Sequence, residues 1–131
     1  MDVTAQLKLM IGLAQIDGTV ADREKNFVRN IGRANGLSDS LIDPLFEQRH
    51  PVIVPTNLNE DEKFNYLFNL VQLMKIDERL YKEELLFCSK IATVLGYERE
   101  VLAELMLNVK TGSMTGEEIQ SLKKITMKYL K

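Results

Sequence analysis

The chain has one cysteine and one histidine, and no stretch approaches 18 uninterrupted apolar residues. Cys88 has no second cysteine to pair with, so an internal disulfide is excluded and a reducing compartment is expected. His50 alone supplies neither the ligand set of a zinc site nor a Ser-His pair. The missing apolar run argues against a membrane span, and the start, MDVTAQLK, lacks a signal-peptide pattern. We therefore expect a cytoplasmic protein.

The chain also has no excess of basic residues over acidic ones. Lysine and arginine together number 17 against 19 aspartates and glutamates, and the net charge is -2 with a pI near 5.5. Binding to a phosphate backbone needs a basic surface, so nucleic acid is not an expected partner. No glycine-rich phosphate loop and no nucleophile-base pair are recognisable, so we do not expect an enzyme.

The overall amino-acid composition is typical of a globular protein. The chain has 131 residues, of which 45% are hydrophobic and 27% are charged. A chain of this length buries roughly two-thirds of the surface that its unfolded form exposes. We therefore predict one domain, residues 1–131, that folds alone. The sequence leaves the oligomeric state open and identifies no protein partner.

The sequence resembles itself at an offset of 60 residues. Leu7–Phe46 aligns with Leu67–Met106 without a gap, and nine of the 40 positions are identical. Chance would give roughly two or three identities. The identical pairs are Leu7/Leu67, Leu13/Leu73, Ile16/Ile76, Asp17/Asp77, Glu24/Glu84, Phe27/Phe87, Ile31/Ile91, Gly36/Gly96 and Leu45/Leu105. The alignment predicts two similar half-domains.

The first two helices of each half follow from apolar periodicity. The first, Asp2–Asp17 and its copy Asn59–Asp77, is apolar on most of its circumference, which is typical of a buried helix. We expect these two helices to pack against each other. The second, Asp22–Asn35 and its copy Lys82–Leu95, is amphipathic. Its predicted apolar face comprises Phe27, Val28, Ile31 and Ala34 in the first half and Phe87, Cys88, Ile91 and Val94 in the second.

The third helix of each half follows a glycine. Gly36 and Gly96 stand where the end of a helix favours a left-handed residue. The third helix is predicted over Ser38–Gln48 and Glu98–Lys110, and Pro44 makes its first copy less regular. Its apolar positions are Leu41 and Leu45 in the first half and Val101 and Leu105 in the second.

A connector and a last helix complete the predicted chain. The segment RHPVIVP, residues 49–55, carries two prolines and joins the halves as an extended connector without a partner strand. Asn59 with Glu62 signals the start of the fourth helix, and Thr115 with Glu118 forms a capping box for a seventh. The apolar stripe of that last helix is Ile119, Leu122, Ile125 and Tyr129. The predicted fold class is all-α, with about seven helices.

The stretch LAQIDGTVADREKNFV, residues 13–28, contains part of a calcium-loop pattern. Asp17, Gly18 and Glu24 fit the fifth, sixth and twelfth positions of an EF-hand loop. Leu13 and Gln15 then occupy the first and third ligand positions, and both belong to the predicted helix. The second copy replaces ligand, ligand and glycine with Leu73, Lys75 and Glu78. The pattern is therefore not an EF-hand.

Two interpretations of these acids remain. In the structural one, Glu24 and Glu84 are third residues of helices and reach back to the cap backbone, where the helix dipole favours negative charge by about 0.3–1 kcal/mol. In the functional one, Asp17, Asp22 and Glu24, with Asp77 and Glu84 in the second copy, form an oxygen-ligand site for Ca²⁺, Mg²⁺ or Mn²⁺. An alternative of another class is a metal-dependent hydrolase, which requires a concave pocket that holds the acids with a general base.

The twice-repeated pattern resembles the tellurite-resistance TerB-like domains. It comprises an apolar helix, Ile-Asp-Gly or Ile-Asp-Glu, an apolar residue, glutamate, an aromatic residue and a closing Gly-Leu or Gly-Tyr, and it covers Leu7–Met106. The resemblance implies about seven helices, a divalent metal at Asp17 and Glu24, and a bacterial stress setting; related domains accompany a DnaJ-type co-chaperone module. It leads us to expect a non-enzymatic binding or scaffold module. Ala21 and Tyr81 stand where the family often has serine, so the side-chain half of each capping box is missing.

Overall fold

The computed structural model describes residues 3–16, 18, 20–76, 82–110 and 114–131. These residues form seven α-helices and one short 3-10 helix and contain no β-strand, which confirms the all-α prediction. None of the described helices is both long and apolar enough to cross a membrane. The chain divides into two compact units, Met1–Pro55 and Thr56–Lys131, with the boundary at the end of the proline-flanked connector. The single domain predicted for residues 1–131 stays a prediction.

Unit 1 contains three α-helices and the 3-10 helix. They are α1 (Val3–Ala14), α2 (Asp22–Ala34), α3 (Asp39–Ile42) and the 3-10 helix Asp43–Glu47. Pro44 lies in the first turn of the 3-10 helix. A proline has no N–H to donate and its ring clashes with the preceding turn of an α-helix, so α3 does not continue. The predicted irregularity of this third helix is confirmed.

Unit 2 contains the other four helices. They are α4 (Glu60–Ile76), α5 (Lys82–Leu95), α6 (Val101–Asn108) and α7 (Gly116–Met127), and α4 packs against the three others. Both predicted capping boxes are confirmed. Glu62 accepts the Asn59 N–H at 3.1 Å and donates its own N–H to the Asn59 side chain at 2.9 Å. Thr115 and Glu118 form the same reciprocal pair at 3.0 and 3.1 Å.

The end of the second helix is built in the same way in both units. Gly36 has a φ of +87° and Gly96 a φ of +98°, the left-handed region that favours glycine. The N–H groups of Gly36 and Leu37 donate to carbonyls in the last turn of α2, at 3.0 Å each. Those of Gly96 and Tyr97 donate to the equivalent carbonyls of α5 at 3.0 and 2.9 Å. Both ends are Schellman motifs, as the glycine positions predicted.

The first helix of each unit is buried on most of its sides. The buried apolar residues are Val3, Leu7, Leu9, Met10, Ile11, Leu13 and Ala14 in α1, and Phe64, Tyr66, Leu67, Phe68, Leu70, Val71, Leu73 and Met74 in α4. Their burial was predicted from the nearly continuous apolar circumference of both helices. The packing of the two helices against each other stays a prediction.

Three residues assigned to the apolar faces, Ala34, Leu41 and Val94, are exposed instead, which corrects the sequence analysis. Val94 is 65% exposed, whereas Cys88, Ile91 and Leu95 are buried. On a helix of 3.6 residues per turn, Val94 lies roughly a quarter turn from the centre of the face that those three residues form. Leu41 is 61% exposed because its neighbour Ile42 fills the core position in the short α3.

The C-terminal residues pair with the turn between α5 and α6. Tyr97 and Leu130 form an antiparallel bridge, in which the Glu98 N–H donates to the Tyr129 carbonyl at 2.6 Å and the Lys131 N–H donates to the Gly96 carbonyl at 2.8 Å. The last helix ends at Met127, so Tyr129 lies beyond the stripe to which it was assigned. Pairing over so few residues has no periodicity that a sequence could reveal.

Candidate functional site

The acidic turn follows α1 and depends on a glycine. α1 ends at Ala14, earlier than the predicted end at Asp17. Asp17 itself lies outside the described residues. Gly18 has a φ of +95°, and its N–H donates to the Gln15 carbonyl at 2.9 Å. This backbone conformation favours glycine over any residue with a Cβ.

Glu24 caps the helix that follows this turn. It is the third residue of α2, it is only 7% exposed, and its Oε1 accepts the Ala21 N–H at 3.1 Å. Ala21 has no side-chain acceptor to return the bond, so only the glutamate half of a capping box is present. The structural interpretation of this carboxylate is therefore confirmed for Glu24.

Glu84 occupies the equivalent place in α5. It is the third residue of that helix and is 4% exposed. Residue 81, whose N–H it was predicted to cap, lies outside the described residues.

Burial, aided by the charge of Glu84, raises the pKa of the Cys88 thiol from 9.0 to about 12. Burial thus keeps Cys88 as a neutral thiol in the core, whereas the reactive form of cysteine is the thiolate.

The described residues do not assemble the predicted metal site by themselves. Asp22 is exposed at the first position of α2, two residues from the buried Glu24. Side chains two positions apart on a helix point in nearly opposite directions. Among the described residues, no group of three or more histidines, cysteines, aspartates or glutamates is arranged to hold a metal ion. Asp17 and Asp77 lie outside those residues, so the full set stays a prediction.

Two cavities of the described structure lie away from these acids. An open cavity of about 480 Å³ lies between the end of α6 and the start of α7, beside the 2.5 Å ion pair of Lys110 and Glu118. A smaller one of about 160 Å³ lies beside α1, where His50 Nε2 donates to the Leu45 carbonyl at 2.8 Å. Neither is lined by Asp22, Glu24 or Glu84. The hydrolase alternative, which requires a pocket around the acids, gains no support from them.

One polar contact that occurs in both units was not predicted from the sequence. Gln15 Nε2 donates to the carbonyl of Phe46, in the 3-10 helix, at 3.2 Å. It also donates to the carbonyl of Gln48, the residue after this helix, at 3.1 Å. At the position 60 residues later, Lys75 Nζ donates to the carbonyls of Met106 at 2.8 Å and Val109 at 2.5 Å. The side chains differ while the role repeats, so a search for identical residues could not find the pair. The signal available was a long polar donor at matching positions of two otherwise apolar helices.

Comparison with family models, with curated proteins and with solved structures yields no match. The resemblance to TerB-like domains therefore rests on the repeated motif alone.

Proposed function

We propose that this chain is a non-enzymatic binding or scaffold module of the TerB-like kind, whose acidic turn binds a divalent cation. The observation that carries the proposal is the pair of buried carboxylates at equivalent positions. Of the four polar side chains buried among the described residues, two are Glu24 and Glu84. A buried carboxylate is costly unless it is compensated by hydrogen bonds or by a positive charge. A neutral glutamine could also accept the cap N–H, so the repeated carboxylate supports a second role as a cation ligand.

The chemistry of the turn favours a hard cation. In unit 1 the proposed ligands are Asp17 and Glu24, and in unit 2 they are Asp77 and Glu84. Asp22, which the sequence also suggested, points away from Glu24 and is not included. Carboxylate oxygens are the ligands that Ca²⁺, Mg²⁺ and Mn²⁺ prefer. A cation would also reduce the repulsion between acids that lie within eight residues of one another in the sequence. Tellurite is an oxyanion that the same acids would repel, so we do not propose it as the ligand.

Calorimetric titration tests the cation. The unmodified chain is expected to bind Ca²⁺, Mg²⁺ or Mn²⁺ saturably, with a dissociation constant of roughly 10–1000 µM, because so few carboxylates make a weaker site than a complete EF-hand. Asp17→Asn combined with Glu24→Gln is expected to abolish the heat. Equal heats from this double variant and the unmodified chain would remove the metal from the proposal.

Glu62→Gln is the matched control for that titration. Glu62 is also the third residue of a helix and accepts its cap N–H at 3.1 Å, the same distance as for Glu24. It follows no acidic turn. Its substitution changes a capping carboxylate alone, so the binding heat should persist. Loss of heat in Glu62→Gln as well would trace the signal to altered helix ends and would contradict a site at the turn.

A further inference from the structure

The outward stripe of α5 places an apolar side chain between two opposite charges. Glu83, Leu86 and Lys90 are all exposed, and Leu86 is exposed over 50% of its surface. At 100° per residue these three positions lie within about 60° of one another, on the side of α5 away from the buried Cys88.

The duplicated helix shows that the fold does not require this arrangement. The equivalent positions of α2, 60 residues earlier, are Arg23, Asn26 and Asn30, and all three are exposed. The same face of the same kind of helix is therefore polar throughout in unit 1. The leucine and the opposite charges are particular to α5 and form a surface that α2 lacks.

The order of the charges fits a second copy of the same surface. An antiparallel pair of α5 helices, related by a two-fold axis that passes between positions 86 and 87, brings Leu86 of both copies to the axis. The same axis places Glu83 opposite the partner's Lys90 and Lys90 opposite the partner's Glu83. A two-fold contact requires such self-complementarity, because one patch must match itself. Within the described part of the chain, neither Glu83 nor Lys90 is engaged in an ion pair.

We propose that two copies of this chain associate through α5, with Leu86 at the centre and two Glu83–Lys90 pairs flanking it. The equivalent stripe of α2 cannot form such a contact, because Arg23 would meet the uncharged Asn30 and no apolar residue lies between them. Two turns of helix bury less area than the roughly 1,200 Å² of a stable interface, so the dimer is weak and forms with rising concentration. The inference does not depend on the cation, since none of its residues belongs to the acidic turn.

Sedimentation equilibrium on the full chain tests the dimer. Between about 20 µM and about 1 mM, the range for a small interface, the average mass should rise from 15.0 kDa towards twice that value. Leu86→Asn, which installs the residue found at position 26, should keep the mass at that of the monomer. Leu41→Asn is the matched control, because Leu41 is a comparably exposed leucine outside α5, and it should behave as the unmodified chain.

Exchanging the charges at positions 83 and 90 tests whether the two α5 helices pair in the proposed antiparallel arrangement. Glu83→Lys and Lys90→Glu each create two like-charge contacts and should raise the dimer dissociation constant about three- to tenfold at low salt. The double exchange should restore it. The proposal is overturned if the unmodified chain stays monomeric throughout, if Leu41→Asn reduces the mass as much as Leu86→Asn, or if the double exchange fails to restore association.

Discussion

Replacing Lys75 with methionine is expected to lower the free energy of unfolding by about 2–3 kcal/mol. Lys75 is half-buried in the last turn of α4, and its Nζ donates to the carbonyls of Met106 and Val109 at 2.8 and 2.5 Å. Both carbonyls lie at the end of α6, where the helix dipole favours a cation. Methionine keeps the apolar stem of the side chain but removes both donated bonds and the charge.

Urea unfolding followed by circular dichroism provides the measurement, since the midpoint and slope together give the free energy of unfolding. Lys8→Met is the control, because Lys8 is exposed on α1 and should change stability by no more than about 0.5 kcal/mol. Lys75→Gln installs the donor that unit 1 uses at the equivalent Gln15 and should recover part of the loss. If Lys75→Met and Lys8→Met prove equally stable, the contact to α6 contributes nothing.

Replacing Gly32 with alanine is expected to destabilise the chain by about 1–2 kcal/mol. A Cβ at this position would lie 2.5 Å from Ile42 Cδ1 and 3.2 Å from Leu7 Cδ1, and both of those side chains are fully buried. Alanine gains up to about 1 kcal/mol in helix propensity, but overfilling a packed core costs about 1–3 kcal/mol. The steric cost is expected to prevail because neither neighbour can move towards solvent.

A second substitution tests whether that clash is the cause. Ile42→Val removes the Cδ1 atom that lies closest to the new methyl group, so Gly32→Ala combined with Ile42→Val should lose less stability than the two single changes added together. Gly116→Ala is the control, because a Cβ there meets nothing within 4 Å. Strict additivity of Gly32→Ala and Ile42→Val in thermal or urea unfolding would show that the α2–α3 packing is not as described.

The helices could be predicted from the sequence because each one is specified by residues that lie close together in the chain. α5 was predicted at its observed bounds, Lys82–Leu95, since amphipathic periodicity and the glycine after it agree on where it ends. Thr115 and Glu118 identified the start of α7 because a capping box is a contact between residues three positions apart. Such features require no knowledge of what packs against the helix.

The contacts that escaped prediction depend on the packing of distant residues. Val94 was placed on the buried face by its spacing, but how wide a stripe the neighbouring helices cover is decided by the tertiary structure. Lys75 reaches carbonyls more than 30 residues away, and nothing in its own segment indicates them. The bridge between Tyr97 and Leu130 is of the same kind.

The candidate site was predicted in part. The position of Glu24 at the third residue of α2, and its bond to the cap N–H, followed from the helix-start pattern and are confirmed. Its burial and that of Glu84 were not foreseen, since acids in a first helical turn are commonly exposed. Asp17 and Asp77 lie outside the described residues, so their assignment as cation ligands rests on the sequence alone.

The central claim is that one helical half, with a buried glutamate at the third position of its second helix, is used twice. A crystal structure of the full chain tests it most directly, through superposition of residues 7–46 on residues 67–106. We predict that the three helical segments of one half coincide with those of the other and that the carboxylates of Glu24 and Glu84 overlap. Halves that fail to superpose, or a β-sheet within either of them, would contradict the account.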